Sequence, residues 1–290
     1  MDTPDFDFAK ENVALAPLTY YRVGGPARLA LIPRNIEEAC QAYIWMRKQP
    51  CRTLVLGAGS NVLIADHGFD GIVLITTGLN RIEPLGNDLF EIESGVVLDT
   101  VVQQIMIPNN YEGVGGLAGI PGTVGGAVFM NAGTVNGTTD QWVNQVELIG
   151  PEGRSVRKVT KEDYGYRGQT FCPQGALILR AQFRFQKSNV DQKTIYEHYI
   201  QRRREKQPQG YCCGSVFKNP PGDHAARLIE ACGLKGARCG GAVISPIHAN
   251  FIMNEENATA NDILALIHLC KAQVREKFGI DLQEEVVIIR

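Results

Sequence analysis

Among the 290 residues there is no C-x-x-C pair, no H-x-x-x-H, no cluster of His with Asp and Glu, and no G-x-x-x-x-G-K-[ST]. The first three absences leave a metal site without ligands at usable spacing. The last removes P-loop chemistry. An excess of charge of one sign is lacking too: 29 Lys and Arg stand against 31 Asp and Glu, a net charge of −2. That excludes the basic footprint of a non-specific nucleic-acid or membrane-surface binder. No apolar run is long enough to span a membrane, since the lightly charged stretch 85–150 is broken throughout by Gly and Pro. The opening MDTPDFDFAKEN is acidic and polar, unlike an export signal. A cytoplasmic protein is therefore expected, with its eight cysteines reduced and packed as small apolar groups.

What is present is a chain long enough for two domains. Asn35 is followed by Glu38 and by Ala39, Tyr43 and Ile44 at helical period, which predicts a capped helix. Strands are predicted over 53–56, 61–64 and 71–75, the first ended by Gly57-Ala58-Gly59. From 113 to 137, nine of 25 residues are glycine, yet Val, Leu, Ile, Phe and Met are interleaved. A flexible linker lacks such side chains, so this segment is expected to be ordered and approached closely by something bulky. Strands follow over 143–149, 155–159 and 176–185, in an antiparallel or mixed sheet. Helices are predicted over 194–207, from Asp223 as its cap to Gly233, and over 261–278 with Gly279 as its stop. A β run over 284–290 closes the chain.

Five motifs could carry chemistry, and each leaves two readings open. Gly57-Ala58-Gly59-Ser60-Asn61 begins like G-x-G-x-x-G, but Val62 replaces the last glycine and no helix follows. It is either an anion-binding nest of backbone N–H groups or a plain turn. Gly119-Ile120-Pro121-Gly122-Thr123-Val124-Gly125-Gly126 could lay backbone against a pyrophosphate or flat ring, or could serve tight packing alone. Tyr164-Gly165-Tyr166-Arg167 offers a guanidinium for a carboxylate, or a surface turn. Gly214-Ser215-Val216-Phe217-Lys218-Asn219 offers a proton donor and polar contacts, or a loop. In Gln283-Glu284-Glu285-Val286, alternation along a strand would put one carboxylate on each face.

In this order, together with TYYRVGGPA near the start, EKQP at 205–208 and SPIHANFIMN at 245–254, the motifs resemble the UDP-N-acetylenolpyruvoylglucosamine reductase family, flavoenzymes of peptidoglycan precursor synthesis. The short length and the YRVGGPA opening resemble its type II branch. The resemblance implies an α+β fold. A two-part FAD-binding domain of the vanillyl-alcohol-oxidase (PCMH) type would occupy 1–75 and 76–188, with its PCMH-type region at about 23–188. A substrate-binding domain would occupy 189–290, its last strand returning to the first domain.

The family's activity implies noncovalent FAD, reduced by NADPH, then reduction of the enolpyruvyl group of UDP-N-acetylglucosamine enolpyruvate to UDP-N-acetylmuramate. Hydride arriving at C3 leaves charge at C2 that must be stabilised and protonated. By motif, Arg167 and Glu285 match the residues that stabilise the enolate, and Ser215 matches the proton donor. Gly57, Gly59, Ser60, Asn61, Gly119, Pro121, Gly122, Thr123, Gly125 and Gly126 would hold FAD, and Lys206 and Asn219 the substrate. A monomer without metal is implied. This chain departs from the family pattern at Gln169, at Thr134-Val135-Asn136, and at Gln283-Glu284, which puts a second acid beside Glu285. Two other classes share some of these features: an FAD-linked sugar or alcohol oxidase, and a nucleotide-sugar binding protein without activity.

Overall fold

The computed structural model describes residues 4–290. The chain divides into two compact units, one comprising the described residues to Glu11 with Leu29–Ala58 and Gly71–Arg203, the other Asn12–Arg28, Gly59–Asp70 and Arg204–Arg290.

In the first unit, strand Arg52–Leu56 pairs in parallel with residues Gly71–Ile75 of strand Phe69–Ile75. Helix Ile36–Met46 begins as the sequence predicts: the Asn35 side chain accepts the Glu38 N–H at 2.9 Å. Its buried stripe of Ile36, Ala39, Ala42, Tyr43 and Met46 packs on Leu29, Leu31, Ile72 and Leu74. A second sheet of the same unit is antiparallel, ordered Gly153–Lys158, Val143–Gly150, Leu177–Arg184, Leu89–Glu93, Ile82–Gly86. Ile92, Val146, Ala181 and Phe183 bury one face of it with Val124, Ala127 and Val128 of helix Val124–Met130.

The glycine-rich stretch is ordered, as expected. It forms helices Val114–Leu117 and Val124–Met130 and the small pair Gly133–Thr134 with Gly137–Thr138. Much of its glycine content answers to packing within the protein. A Cβ on Gly115 would lie 2.5 Å from the Tyr199 ring, and one on Gly116 would lie 2.8 Å from the Gly137 carbonyl.

The second unit is built on helix Ala260–Phe278. Thr259 and Asp262 form a capping box, the Asp66 carboxylate accepts the N–H of Ala260 at 2.6 Å and of Asn261 at 3.1 Å, and Gly279 ends the helix at φ 68°. Its buried face, Ile263, Leu266, Ile267, Cys270 and Val274, is the one the sequence predicts. It packs with helix Ala225–Ala231 and with the sheet Arg238–Cys239, Ala242–Ile244, Ile252–Asn254.

Two expectations are corrected here. The cap on the Ala225 N–H is the Asn219 side chain at 3.1 Å, while Asp223 instead accepts the His224 N–H and pairs with Arg227. The closing strand is only Val287–Ile289, paired in parallel with Val62–Ile64. Glu284 and Glu285 precede it, so strand alternation does not set their faces, and both are half-buried.

Candidate active site

Ser215 and Glu285, 70 positions apart in the chain, meet at one crossing in the second unit. Val216 is the hub. Its carbonyl accepts the N–H of Glu285 at 2.8 Å and of Val286 at 3.3 Å, and its own N–H donates to the Asn250 carbonyl at 2.9 Å. Asn250, 3% exposed, also spans Phe217: its Oδ1 accepts the Phe217 N–H at 2.9 Å and its Nδ2 donates to the Phe217 carbonyl at 2.8 Å. Lys218 N–H completes the crossing on the Gln283 carbonyl at 2.9 Å. Ser215 is half-buried at its edge, after Gly214 with φ 73°.

The two neighbouring acids are distinguished by their partners. Glu284 Oε1 accepts from Lys271 Nζ at 2.7 Å. Burial pushes the Glu284 carboxyl up, but the bond to Lys271, its own backbone N–H and the charges of Lys271 and His268 together hold the group below its ordinary value. The Glu284 side chain is thus tied to helix Ala260–Phe278, while its backbone pairs with Phe217 and the N–H of Glu285 joins the crossing at Val216.

The second unit also carries the last three residues of the first glycine motif. Gly59 has φ 64° and its carbonyl accepts the Tyr20 N–H at 3.0 Å; a Cβ there would lie 2.2 Å from the Leu18 carbonyl. Asn61 Nδ2 donates to the Glu285 carbonyl at 3.0 Å. The thiol of Cys213, two residues before Ser215, points at the Val62 carbonyl, 3.4 Å away. Burial pushes that thiol well up, so it is a packed group and not a reactive thiolate. Lys206 is exposed at the end of helix Gln192–Lys206. Asn219 is exposed, with its oxygen used as the cap described above.

The first unit holds Arg167, Gly57 and the second glycine motif. Arg167 sits at the tip of a two-residue hairpin between Tyr164–Gly165 and Gly168–Gln169, in the left-handed region at φ 56°. Its guanidinium lies 5.3 Å from the Tyr166 ring centre and Nη1 donates to the Gly133 carbonyl at 3.2 Å. Gln169, a departure from the family pattern, accepts the Cys172 N–H at 2.6 Å and so fixes the hairpin's return.

At 119–126 the protein itself uses several groups. Val124 and Gly125 donate their N–H groups to the Val96 and Ser94 carbonyls at 2.8 and 2.7 Å, and a Cβ on Gly125 would lie 2.7 Å from Ser94 Cβ. Gly57 is glycine for the same kind of reason, since a Cβ there would lie 2.6 Å from Thr123 Oγ1. Gly126 differs. It is exposed, and among the described residues, outside its own helix backbone and chain neighbours, its Cβ would approach Thr123 Oγ1 alone, at 3.7 Å. Bare backbone beside a hydroxyl, at a helix start and on an open face, fits the flat, anionic parts of FAD.

Sequence reasoning gave no role to Asn250, nor to Asn131, which ends helix Val124–Met130 in the left-handed region at φ 47°. Asn250 lies inside the quoted motif SPIHANFIMN, and Asn131 lies in FMNAG, just after the second glycine motif. A buried asparagine bonding backbone at long range has no local spacing to betray it.

Comparisons with known proteins place the chain in a family. A family model described as an FAD binding domain matches residues 27–158, and one described as UDP-N-acetylenolpyruvoylglucosamine reductase, C-terminal domain, matches residues 206–289. The chain is thus an FAD-binding oxidoreductase of α+β fold. The UDP-N-acetylenolpyruvoylglucosamine reductase of Legionella pneumophila (strain Corby) is 41% identical over 285 residues, 96% of this chain and 91% of that one. That of Clostridium novyi (strain NT) is 37% identical over 289 residues, 98% of this chain and 93% of the other. The crystal structure of the Thermus caldophilus UDP-N-acetylenolpyruvylglucosamine reductase superposes with a TM-score of 0.83 at 32% identity, covering 98% of this chain and all of that one. This chain belongs to the UDP-N-acetylenolpyruvoylglucosamine reductase family. Among the described residues no helix is long and apolar enough to cross a membrane.

Proposed function

We propose that the chain reduces the enolpyruvyl group of UDP-N-acetylglucosamine enolpyruvate to the lactyl group of UDP-N-acetylmuramate, with NADPH as electron donor, as a cytoplasmic monomer in peptidoglycan precursor synthesis. The observation that carries this reading is the crossing at Val216, which holds a serine hydroxyl and a carboxyl group from distant motifs on adjoining backbone. Bound FAD supplies a two-electron relay between NADPH and C3 of the enolpyruvyl group. Its contacts are assigned to Gly57, Gly59, Ser60, Asn61, Gly119, Pro121, Gly122, Thr123, Gly125 and Gly126. Gly125 contributes there only through shape, because its N–H is bonded to Ser94.

The remaining work falls to side chains. When the carbon–carbon double bond accepts hydride at C3, an electron pair moves to C2 and into the adjoining carboxylate. Arg167 meets that carboxylate with a planar, permanently charged donor. A carboxyl group aids an enolate only through its proton, so Glu285 acts as the neutral acid, donating a hydrogen bond. Ser215 gives its hydroxyl proton to C2. A hydroxyl is a weak acid, but an enolate carbon is a strong base and needs little acidity from its donor. The Lys206 ammonium and the Asn219 Nδ2 are assigned to the nucleotide-sugar phosphates.

An absorption titration tests this. Flavin bands of the purified protein should bleach with anaerobic NADPH and return on adding UDP-N-acetylglucosamine enolpyruvate. Ser215→Ala should leave bleaching near normal and slow the return by at least ~10²-fold. Return with oxygen and an alcohol instead of the enolpyruvyl sugar would establish the oxidase reading, and bands unaffected by NADPH would exclude the reductase.

A further inference from the structure

An arginine at φ 56° needs support, since the left-handed region disfavours a residue that carries a side chain. The support comes from a second left-handed turn in the same unit. Helix Val124–Met130, whose first turn belongs to the proposed cofactor surface, ends at Asn131, 7% exposed, with φ 47° and ψ 54°. The next residues turn back, and Ala132 N–H donates to the Ala127 carbonyl at 2.9 Å. This turn grips the Arg167 hairpin at two points. Asn131 Nδ2 donates to the Gly165 carbonyl at 3.2 Å, before the tip. The Gly133 carbonyl accepts from Arg167 Nη1 at 3.2 Å, beyond it. Asn131 Oδ1 is itself fixed by the Asp140 N–H at 3.1 Å, so its amide is aimed and cannot flip without losing a bond.

We propose that Asn131 is a positioning residue for Arg167: its amide sets the entry of the hairpin, and the backbone it terminates sets the direction of the guanidinium. This rests on the reading that Arg167 binds the enolpyruvyl carboxylate. Sequence preference alone does not account for Asn131, because glycine would adopt the same backbone conformation at lower cost. What glycine lacks is the amide that reaches Gly165.

Asn131→Asp keeps the oxygen that meets Asp140 and removes the donor to Gly165. The test is stopped-flow measurement of both half-reactions on holoenzyme, with thermal unfolding alongside. Reduction by NADPH should stay within about twofold and reoxidation by UDP-N-acetylglucosamine enolpyruvate should slow about tenfold, as for a displaced contact group. Asn131→Asp combined with Arg167→Ala should be no slower than Arg167→Ala alone, because the two act through one guanidinium. Asn131→Gly, which keeps the turn and drops both side-chain bonds, should give the same pattern and serves if the Asp variant does not fold. Equal slowing of both half-reactions, or effects that multiply in the double variant, would overturn the positioning role. Unchanged reoxidation in Asn131→Asp with a slow Arg167→Ala would overturn it while leaving Arg167 in place. Unchanged reoxidation in Arg167→Ala would remove the reading of Arg167 and this inference with it.

Discussion

The Asn61 side chain donates to the backbone carbonyl of Glu285 at 3.0 Å, joining the end of the first glycine loop to the acid 224 positions later. The carbonyl of Asn61 also accepts the Val287 N–H at 3.0 Å, and from there strands Val62–Ile64 and Val287–Ile289 run in parallel. One asparagine therefore starts the closing strand and fixes the backbone of Glu285 just ahead of it. Asn61→Ala should cost about 1 kcal/mol from the lost bond. Asn61→Asp should cost more, since an oxygen would then face the Glu285 carbonyl. Thermal unfolding ranks the two, and the flavin-to-protein absorbance ratio should fall in the same order. An Asp variant as stable as wild type would mean that the bond does not order this junction.

Glu284 and Glu285 give a sharper contrast. Glu284 is paired with Lys271, the two side chains being 27% and 37% exposed, and a pair this open contributes ~0.5 kcal/mol. Glu284→Gln should leave turnover within about twofold. Its carboxyl is held below the ordinary 4.5, so its contribution to stability is present above that pH and is lost as the pH falls through the lowered value. Glu285→Ala should slow reoxidation by the enolpyruvyl sugar by about 10² or more, on the scale of losing an acid or an oxyanion donor. If the two variants exchanged these phenotypes, the acid would be Glu284.

What the sequence made legible is what local chemistry dictates. Asn35 before Glu38, the apolar period of helix Ala260–Phe278 and the left-handed stop at Gly279 are each set by residues within a turn of one another. The meeting of Ser215 with Glu285 was not legible from spacing, and only resemblance to a family put them together. The cap at Ala225 was misassigned to Asp223 because Asn219, six residues upstream, reaches it by folding back past Pro220. Asn131 and Asn250 were invisible for a related reason. Their bonds to Gly165 and Phe217 cross 34 and 33 positions, and an asparagine in a loop reads the same whether or not such bonds exist.

Asn250 leads to a pH effect. Its N–H donates to Nδ1 of His248 at 3.3 Å, which requires the imidazole to be neutral at that nitrogen. Burial, opposed by a bond to its own backbone, aided by Lys235 and opposed weakly by Glu230, holds His248 below its ordinary 6.5. A base with a lowered folded-state pKa makes the unfolded chain bind more protons just below 6.5, so stability falls as the pH drops through that value. Protonation would also take the acceptor from Asn250, and Asn250 holds the residues next to Ser215. Stability should therefore decline on acidification below 6.5, and the reoxidation rate only at the lower pH where the folded imidazole itself takes a proton. His248→Gln, whose amide oxygen can still accept, should flatten both profiles. A stability profile with the same slope in that variant would assign the effect to another group.

The two glycine motifs separate the needs of the fold from those of the cofactor. At Gly59 the backbone is left-handed and a Cβ would lie 2.2 Å from the Leu18 carbonyl, which is backbone and cannot swing aside. Gly59→Ala should destabilise the protein by more than ~2 kcal/mol and lower its flavin content as a consequence. At Gly126 the backbone is helical, the position is exposed, and a Cβ would stand 3.7 Å from Thr123 Oγ1. Alanine suits a helix better than glycine by roughly 0.5–1 kcal/mol, so Gly126→Ala should make the flavin-free protein slightly more stable. The added methyl group would occupy the open face assigned to FAD, so the same variant should bind the cofactor less tightly. Stability rising while affinity falls is a pattern no folding defect produces. Thermal unfolding of the flavin-free protein and a fluorescence titration with FAD measure the two quantities separately. A Gly126→Ala protein that kept full FAD affinity would move the cofactor off this face.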